Sequence, residues 1–244
     1  MAWTKQEIND HITACKILDR IKDSAFNYIS KNPGISEYEV QRFILNEYKK
    51  NNLKSTLSPI VAFNASSASP HYFPKKKSLK LENDMLILID IWARSNGVKK
   101  PFSDITWMGY KGKMSDEMIK VSDIVFLARD RCVEHLRKKL SEKNIPTGYE
   151  LDAIARKVIA DHGYGKNFIH GTGHSIGFVS PHGTYGRIRK SNKQKLLLNM
   201  GYTIEPGIYL KGKFGVRSEI DFYITSDYKL VITTPVQKRL IRII

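Results

Sequence analysis

Apolar residues recur at helical spacing in four stretches of this chain, and the segments between them are dense in β-branched and aromatic residues. Thr4-Lys5-Gln6-Glu7 has the form of a capping box, and Ile8, Ile12, Cys15 and Ile21 follow it at helical spacing. The pattern predicts a helix that ends near Asn32-Pro33-Gly34. A second capping box, Ser36-Glu37-Tyr38-Glu39, opens a helix carrying Val40, Phe43, Ile44 and Tyr48. Strand-like runs follow at about 57–64, 85–93 and 104–110. The succession then recurs. A long helix over roughly 116–142 ends at Asn144-Ile145-Pro146, and Thr147-Gly148-Tyr149-Glu150 opens another with Leu151, Ile154, Ala155, Val158 and Ile159 before Gly163. Strands are expected near 166–170, 202–210, 215–224 and 229–234.

Each half is thus helix, Pro-containing turn, capped helix, then antiparallel strands. The expectation is an α+β fold of two pseudo-symmetric halves, about 4–112 and 115–244, with helices covering one side of a curved sheet. Residues 1–244 are read as one domain, which the length allows.

Bulk composition narrows the class. Hydrophobic residues make up 41% and charged residues 26%, the balance of an ordinary soluble globular protein. The segment MAWTKQEIND lacks the apolar core of a signal peptide, and no apolar stretch approaches the ~20 residues of a membrane span. Two cysteines, Cys15 and Cys132, both in helical pattern, do not make a disulfide framework, so a reducing cytoplasm is the expected location. The formal charge of +16 invites ribosome or nucleic-acid binding. It is dispersed, however, with local density only at Lys75, Lys76, Lys77 and Lys80 and from Arg187 to Lys195, so a polyanion role is the weaker expectation. A monomer and a homodimer are equally compatible with the sequence.

Chemistry enters through five residues that break apolar runs: Asp90, Asp104, His174, Glu205 and Glu219. An aspartate inside MLILIDIWA costs several kcal/mol unless it is paired or binds a metal. Four carboxylates and one imidazole form a hard, oxygen-rich donor set, enough for two divalent cations. Asp90 and Asp104 flank a turn region with Gly97 and Pro101, and Glu205 and Glu219 flank another with Gly207, Gly212 and Gly215. Both pairs read as cross-strand partners of a hairpin. His170 and His174 are four apart, but Gly171 and Gly173 argue against a helical zinc pair. Gly173-His174-Ser175-Ile176-Gly177 matches the G-x-S-x-G of a nucleophile elbow, yet Pro181, Gly183 and Gly186 prevent the helix that motif needs.

The order of these residues and the words around them resemble the M24 metallopeptidase family with the pita-bread fold, which includes methionine aminopeptidase, aminopeptidase P and prolidase. The matching segments are IDIWA (89–93), SDIT (103–106), HGTGHSIG (170–177), TIEPGIYL (203–210) and GVRSEIDF (215–222). EPGIY paired with GVRSE looks more like the aminopeptidase P and prolidase branch. The resemblance implies a cytoplasmic dinuclear peptidase that removes the N-terminal residue of peptides, with proline as the second residue. Asp90 would bind one metal, His174 with Glu205 the other, and Asp104 with Glu219 would bridge them. A hydroxide held between the metals would attack the scissile carbonyl. Manganese is the metal implied, ahead of cobalt, iron or zinc. His71, His170 and His182 would bind substrate and assist catalysis, Glu205 would also carry protons, and Arg217 would contact substrate.

The chain departs from the family pattern in three places. The stretch from Asp90 to Asp104 is about three residues longer than usual. His182 falls about one residue later after His174 than the family histidine. The creatinase-like N-terminal domain of aminopeptidase P and prolidase is not in this sequence. Alternatives are methionine aminopeptidase-like activity, cleavage of a non-peptide C–N bond, and a non-catalytic pita-bread protein that binds ribosome or nucleic acid.

Overall fold

The computed structural model describes residues 2–244. Helices α1 (Lys5–Lys31) and α2 (Glu37–Lys50) open on capping boxes at Thr4 and Ser36, with Glu7 and Glu39 returning to the cap backbone. α3 (Asp116–Ser141) is capped by Ser115, and α4 (Gly148–Asp161) by the Thr147–Glu150 box. Between the helix pairs run β1 (Leu53–Lys54), β2 (Ile60–Phe63), β3 (Met85–Ser95) and β4 (Ser103–Lys111). After α4 come β5 (Gly201–Ile204), β6 (Gly207–Leu210), β7 (Phe214–Arg217), β8 (Ile220–Ile224), β9 (Leu230–Ile232) and β10 (Ile241–Ile243). The element order is helix, helix, strands, and then the same again. Among the described residues no helix is long and apolar enough to cross a membrane.

The centre of the first sheet is the β3–β4 hairpin, with β1 and β2 antiparallel to β3 and β10 parallel to β4. β3 reads as a nearly unbroken apolar run because both of its faces are covered. Ile87, Ile89, Ile91 and Ala93 meet α1 and α2 in one cluster, whereas Leu86, Leu88 and Trp92 join the larger core with α3, α4 and the later strands. Asp90 shares the parity of Leu88 and Trp92, so it points at the second half of the molecule.

The later strands differ from expectation in instructive ways. The runs 202–210 and 215–224 are each broken, at Glu205-Pro206 and at Ser218-Glu219. Pro206 has no N–H to continue the ladder, though its carbonyl still accepts from Ser218 N at 3.3 Å. The register is the same on both sides of the break, with Ile204 opposite Ile220 and Gly207 opposite Arg217. No strand forms over 166–170. A short 3-10 turn occupies Gly165–Asn167, and the Phe168 and His170 carbonyls accept from the Arg156 guanidinium instead of a neighbouring strand. The short β1 and the C-terminal β10 were not foreseen.

Candidate metal centre

The five donors come from both halves. Asp90 and Asp104 lie on the same face of β3 and β4 but are not direct partners. Asp90 stands opposite Thr106, and Asp104 opposite Trp92, so the two carboxylates are diagonal neighbours. The longer connection between them extends the hairpin, with Ser95 paired to Leu53 of β1. Glu205 and Glu219 sit in the paired breaks, and both side chains line the cavity. Glu205 N donates to Thr172 O at 2.7 Å and Glu219 N to Thr106 O at 3.3 Å, which sews the second half to β4.

His174 is carried by an irregular segment lying beside β5, with Thr203 N donating to His174 O at 2.8 Å. Glycine at 173 is required by contact, since a Cβ there would stand 2.1 Å from the Thr203 carbonyl oxygen. His174 Nδ1–H donates to Ser175 O at 3.0 Å, leaving Nε2 free. That nitrogen faces Glu205 Oε1 at 3.4 Å and Asp104 Oδ2 at 3.8 Å. Donor atoms of Asp104, His174 and Glu219 all lie within 4.8 Å of one another. Backbone-fixed tautomer and converging oxygens are the arrangement of a ligating histidine.

One guanidinium organises the rest. Arg217, 4% exposed, donates Nε to Thr106 Oγ1 at 3.0 Å, Nη1 to Tyr209 Oη at 2.8 Å, and Nη2 to Asp90 Oδ2. Thr106 in turn donates to Glu219 Oε2 at 2.8 Å, and Tyr209 donates to His170 Nε2 at 2.8 Å. Arg217 therefore lines the cavity with each of its three nitrogens bonded to a protein group. Thr106 and Tyr209 were not foreseen, although Thr106 lies two residues from Asp104 and Tyr209 four from Glu205, even spacings that keep side chains on one face.

His71, His170 and His182 line the same cavity, of about 360 Å³, together with Arg187 and Arg189. His71 stands on the exposed loop after the 3-10 turn Asn64–Ala68, which Ser67 fastens to Gly215 by bonds of 2.8 and 3.0 Å. His182 reaches the site despite its displaced position. A tight hairpin pairs Ile176 with His182 and sets the imidazole 4.1 Å from that of His174. Ser175 is buried with its hydroxyl unpartnered, and no helix follows it, which removes the nucleophile-elbow alternative.

Electrostatics describe a site in need of positive charge. Burial, then the nearby Glu219 and Asp90, drive the Asp104 carboxyl well above the ordinary range. Burial and Glu205 do the same to Glu219. Burial raises Asp90 against the pull of Arg217, and lifts Glu205 to about 7. His174 and His170 fall to about 3, mainly by burial, and so stand as neutral donors. Four carboxylates face one guanidinium, and Asp90 Oδ1 is buried with no hydrogen-bond partner. An orphaned carboxylate oxygen among like charges is the condition that a bound cation relieves. The donor set therefore fits divalent metal.

Fold and donor set together define a scaffold suited to binding divalent metal. The model of metallopeptidase family M24 matches residues 10–226, and the chain belongs to that family. It is 33% identical over 225 residues to the Xaa-Pro dipeptidase of Pyrococcus furiosus, covering 92% of this chain and 60% of that protein. Among solved structures it resembles a dipeptidase from Pyrococcus horikoshii OT3, with a TM-score of 0.86 at 28% identity, over 99% of this chain and 64% of that one. The X-Pro aminopeptidase of Thermotoga maritima MSB8 superposes with a TM-score of 0.85 at 30% identity, again over 99% and 64%. The fold is thus the pita-bread fold of these peptidases, and the chain spans under two thirds of the length of each of these three proteins.

Proposed function

We propose that residues 1–244 form one catalytic domain of a dinuclear metallopeptidase that cleaves the bond before proline in short Xaa-Pro peptides. The observation that carries this reading is the convergence of Asp90, Asp104, His174, Glu205 and Glu219 on one cavity with His71, His170 and His182. Asp90 would hold one cation and His174 with Glu205 the other, with Asp104 and Glu219 shared between them. Manganese suits a donor set dominated by oxygen. When bound, two such cations would supply Lewis acidity to the scissile carbonyl and acidify a water towards neutral pH.

The chain's own groups do the rest. Glu205, whose Oε1 lies 3.4 Å from His174 Nε2, would carry the proton from the attacking water to the leaving nitrogen. His170, its Nε2 held by Tyr209, and His71 on its exposed loop flank the substrate. His182, beside His174, is placed to stabilise charge developing on the carbonyl oxygen. Arg187 and Arg189 put positive charge on the cavity wall, which favours a substrate whose free carboxylate lies within reach, hence a dipeptide over a long chain. A cavity of about 360 Å³ is on the scale of a small ligand. The two buried free cysteines agree with a reducing cytoplasm.

Metal-free protein reconstituted with Mn²⁺ and offered Xaa-Pro dipeptides, longer Xaa-Pro peptides and Met-Ala peptides, read by mass spectrometry, tests the proposal. Release of the residue before proline, fastest from dipeptides, is expected. Release of methionine alone would move the chain to the methionine aminopeptidase branch. No cleavage with two metals bound would overturn the peptidase reading in favour of another C–N substrate or a binding role.

A further inference from the structure

A second cluster of metal-binding side chains lies behind the carboxylates and takes no part in the chemistry above. His11 and Cys15, one turn apart on α1, meet Asp221 of β8, and none of the three exceeds 1% exposure. Cys15 Sγ is 3.4 Å from His11 Nε2 and 3.8 Å from Asp221 Oδ2, and His11 Nε2 is 4.0 Å from the same oxygen. Around a tetrahedral zinc, with sulfur at about 2.3 Å and nitrogen or oxygen at about 2.0–2.2 Å, ligand atoms stand roughly 3.4–3.6 Å apart. The sulfur–nitrogen edge already matches, and the two edges to Asp221 need to close by about 0.2–0.6 Å.

A histidine of set tautomer and an unpaired carboxylate oxygen mark the cluster. His11 Nδ1–H donates to Phe102 O at 2.7 Å, which fixes the tautomer and leaves Nε2 an acceptor, engaged by the Thr233 hydroxyl at 2.8 Å, the bond a cation there would displace. Asp221 Oδ1 has no hydrogen-bond partner, in a side chain with 0% exposure. An unsatisfied buried carboxylate oxygen is costly, and a cation relieves that cost.

We propose that His11, Cys15 and Asp221 form a second metal site, for one thiophilic divalent cation of the zinc type. The Thr233 hydroxyl, 2.8 Å from His11 Nε2, and the Ser103 hydroxyl, 2.9 Å from Asp221 Oδ2, are oxygen donors at hand for a fourth position. Binding expels the Cys15 thiol proton to solvent as the sulfur–metal bond forms. Thiolate selects zinc or cobalt where the carboxylate site suits manganese, so the two sites sort by metal chemistry. Occupancy ties α1 to β8. Because Asp221 Oδ2 also accepts Asp104 N–H at 2.9 Å, it fixes Asp104 relative to Glu219, two residues away on the chain.

Cobalt reports the site selectively. The full chain, stripped of metal and titrated with Co²⁺, is expected to develop a thiolate-to-cobalt charge-transfer band in the near ultraviolet, which an oxygen and imidazole centre does not give. Cys15 and Cys132 are the only cysteines. The band should persist in Cys132→Ser and vanish in Cys15→Ser, with one cobalt fewer bound per chain. Absence of the band at saturating cobalt, or its retention in Cys15→Ser, overturns the proposal. If Cys15→Ser does not fold, Cys132→Ser decides, since a band lost there assigns the thiolate to the wrong cysteine. The readout is sulfur ligation, so it stands or falls separately from peptidase activity.

Discussion

At the scale of single residues, Arg217 is the hub on which the carboxylates depend. Its guanidinium holds Asp90 directly, Glu219 through Thr106, and His170 through Tyr209. These connections separate two kinds of substitution. Glu219→Ala removes a proposed bridging donor, so metal retention should fall by about 100-fold or more and turnover with it. Elemental analysis after gel filtration checks the first and peptide cleavage the second. Two retained metals with normal activity would refute the bridging assignment. Tyr209→Phe leaves every donor in place but deprives His170 Nε2 of its only hydrogen bond. We expect unchanged metal content and a fall in kcat of roughly 10²-fold, the usual scale for a misplaced acid–base group. A change confined to KM would show that Tyr209 only shapes the substrate pocket.

At the scale of elements, the second helix of each half fastens a histidine-bearing loop. Glu37, the first residue of α2 and fully buried, accepts from Phe63 N at 2.7 Å, Tyr72 Oη at 2.6 Å and Leu79 N at 3.1 Å, gripping both ends of the segment that carries His71. Asp152 of α4 accepts from Thr172 N at 3.0 Å and its hydroxyl at 2.9 Å, and Arg156 reaches His170 O, steadying the loop of His170 and His174. Glu37→Ala would strand buried donors at a cost of about 2–3 kcal/mol, with a fall in melting temperature of about 5–10 °C. Turnover should fall while metal content holds, because His71 is not among the donors. Glu37→Gln, which keeps two of the three acceptor contacts, should recover part of both losses. These clamps also mark what was legible beforehand. The helices and their three capping boxes were, because caps and apolar spacing are local. The five residues that share the cavity were conspicuous too, because a charge inside an apolar run stands out in one dimension. The breaks at Pro206 and Ser218, the diagonal offset of Asp90 and Asp104, and the grip of Glu37 on residues up to 42 positions away were not. They depend on register and on long-range acceptors, which periodicity does not encode.

At the scale of the whole molecule, a chain of net charge +16 folds around a knot of negative charge. The positive residues are largely on the surface, screened by water and salt, and do little to neutralise carboxylates sealed in the core. Stability should therefore depend on cations, and the dependence should follow pH. Glu205 is raised from 4.5 to about 7 in the folded chain. A carboxyl raised on folding contributes stability that is fully present below its unfolded pKa and is lost as pH rises through its folded one. The metal-free protein thus loses about 3 kcal/mol from this group between pH 4.5 and 7. Mutual repulsion of Asp104 and Glu219 acts in the same sense. Cations replace the missing protons. At a free concentration of about 100 times Kd they add roughly 2.7 kcal/mol, or about 5–10 °C in melting temperature. The rise on adding Mn²⁺ should be large at pH 7.5 and small at pH 5, where protons compete for the same oxygens. Equal shifts at the two values would mean that the stabilising ion binds elsewhere than on these carboxylates.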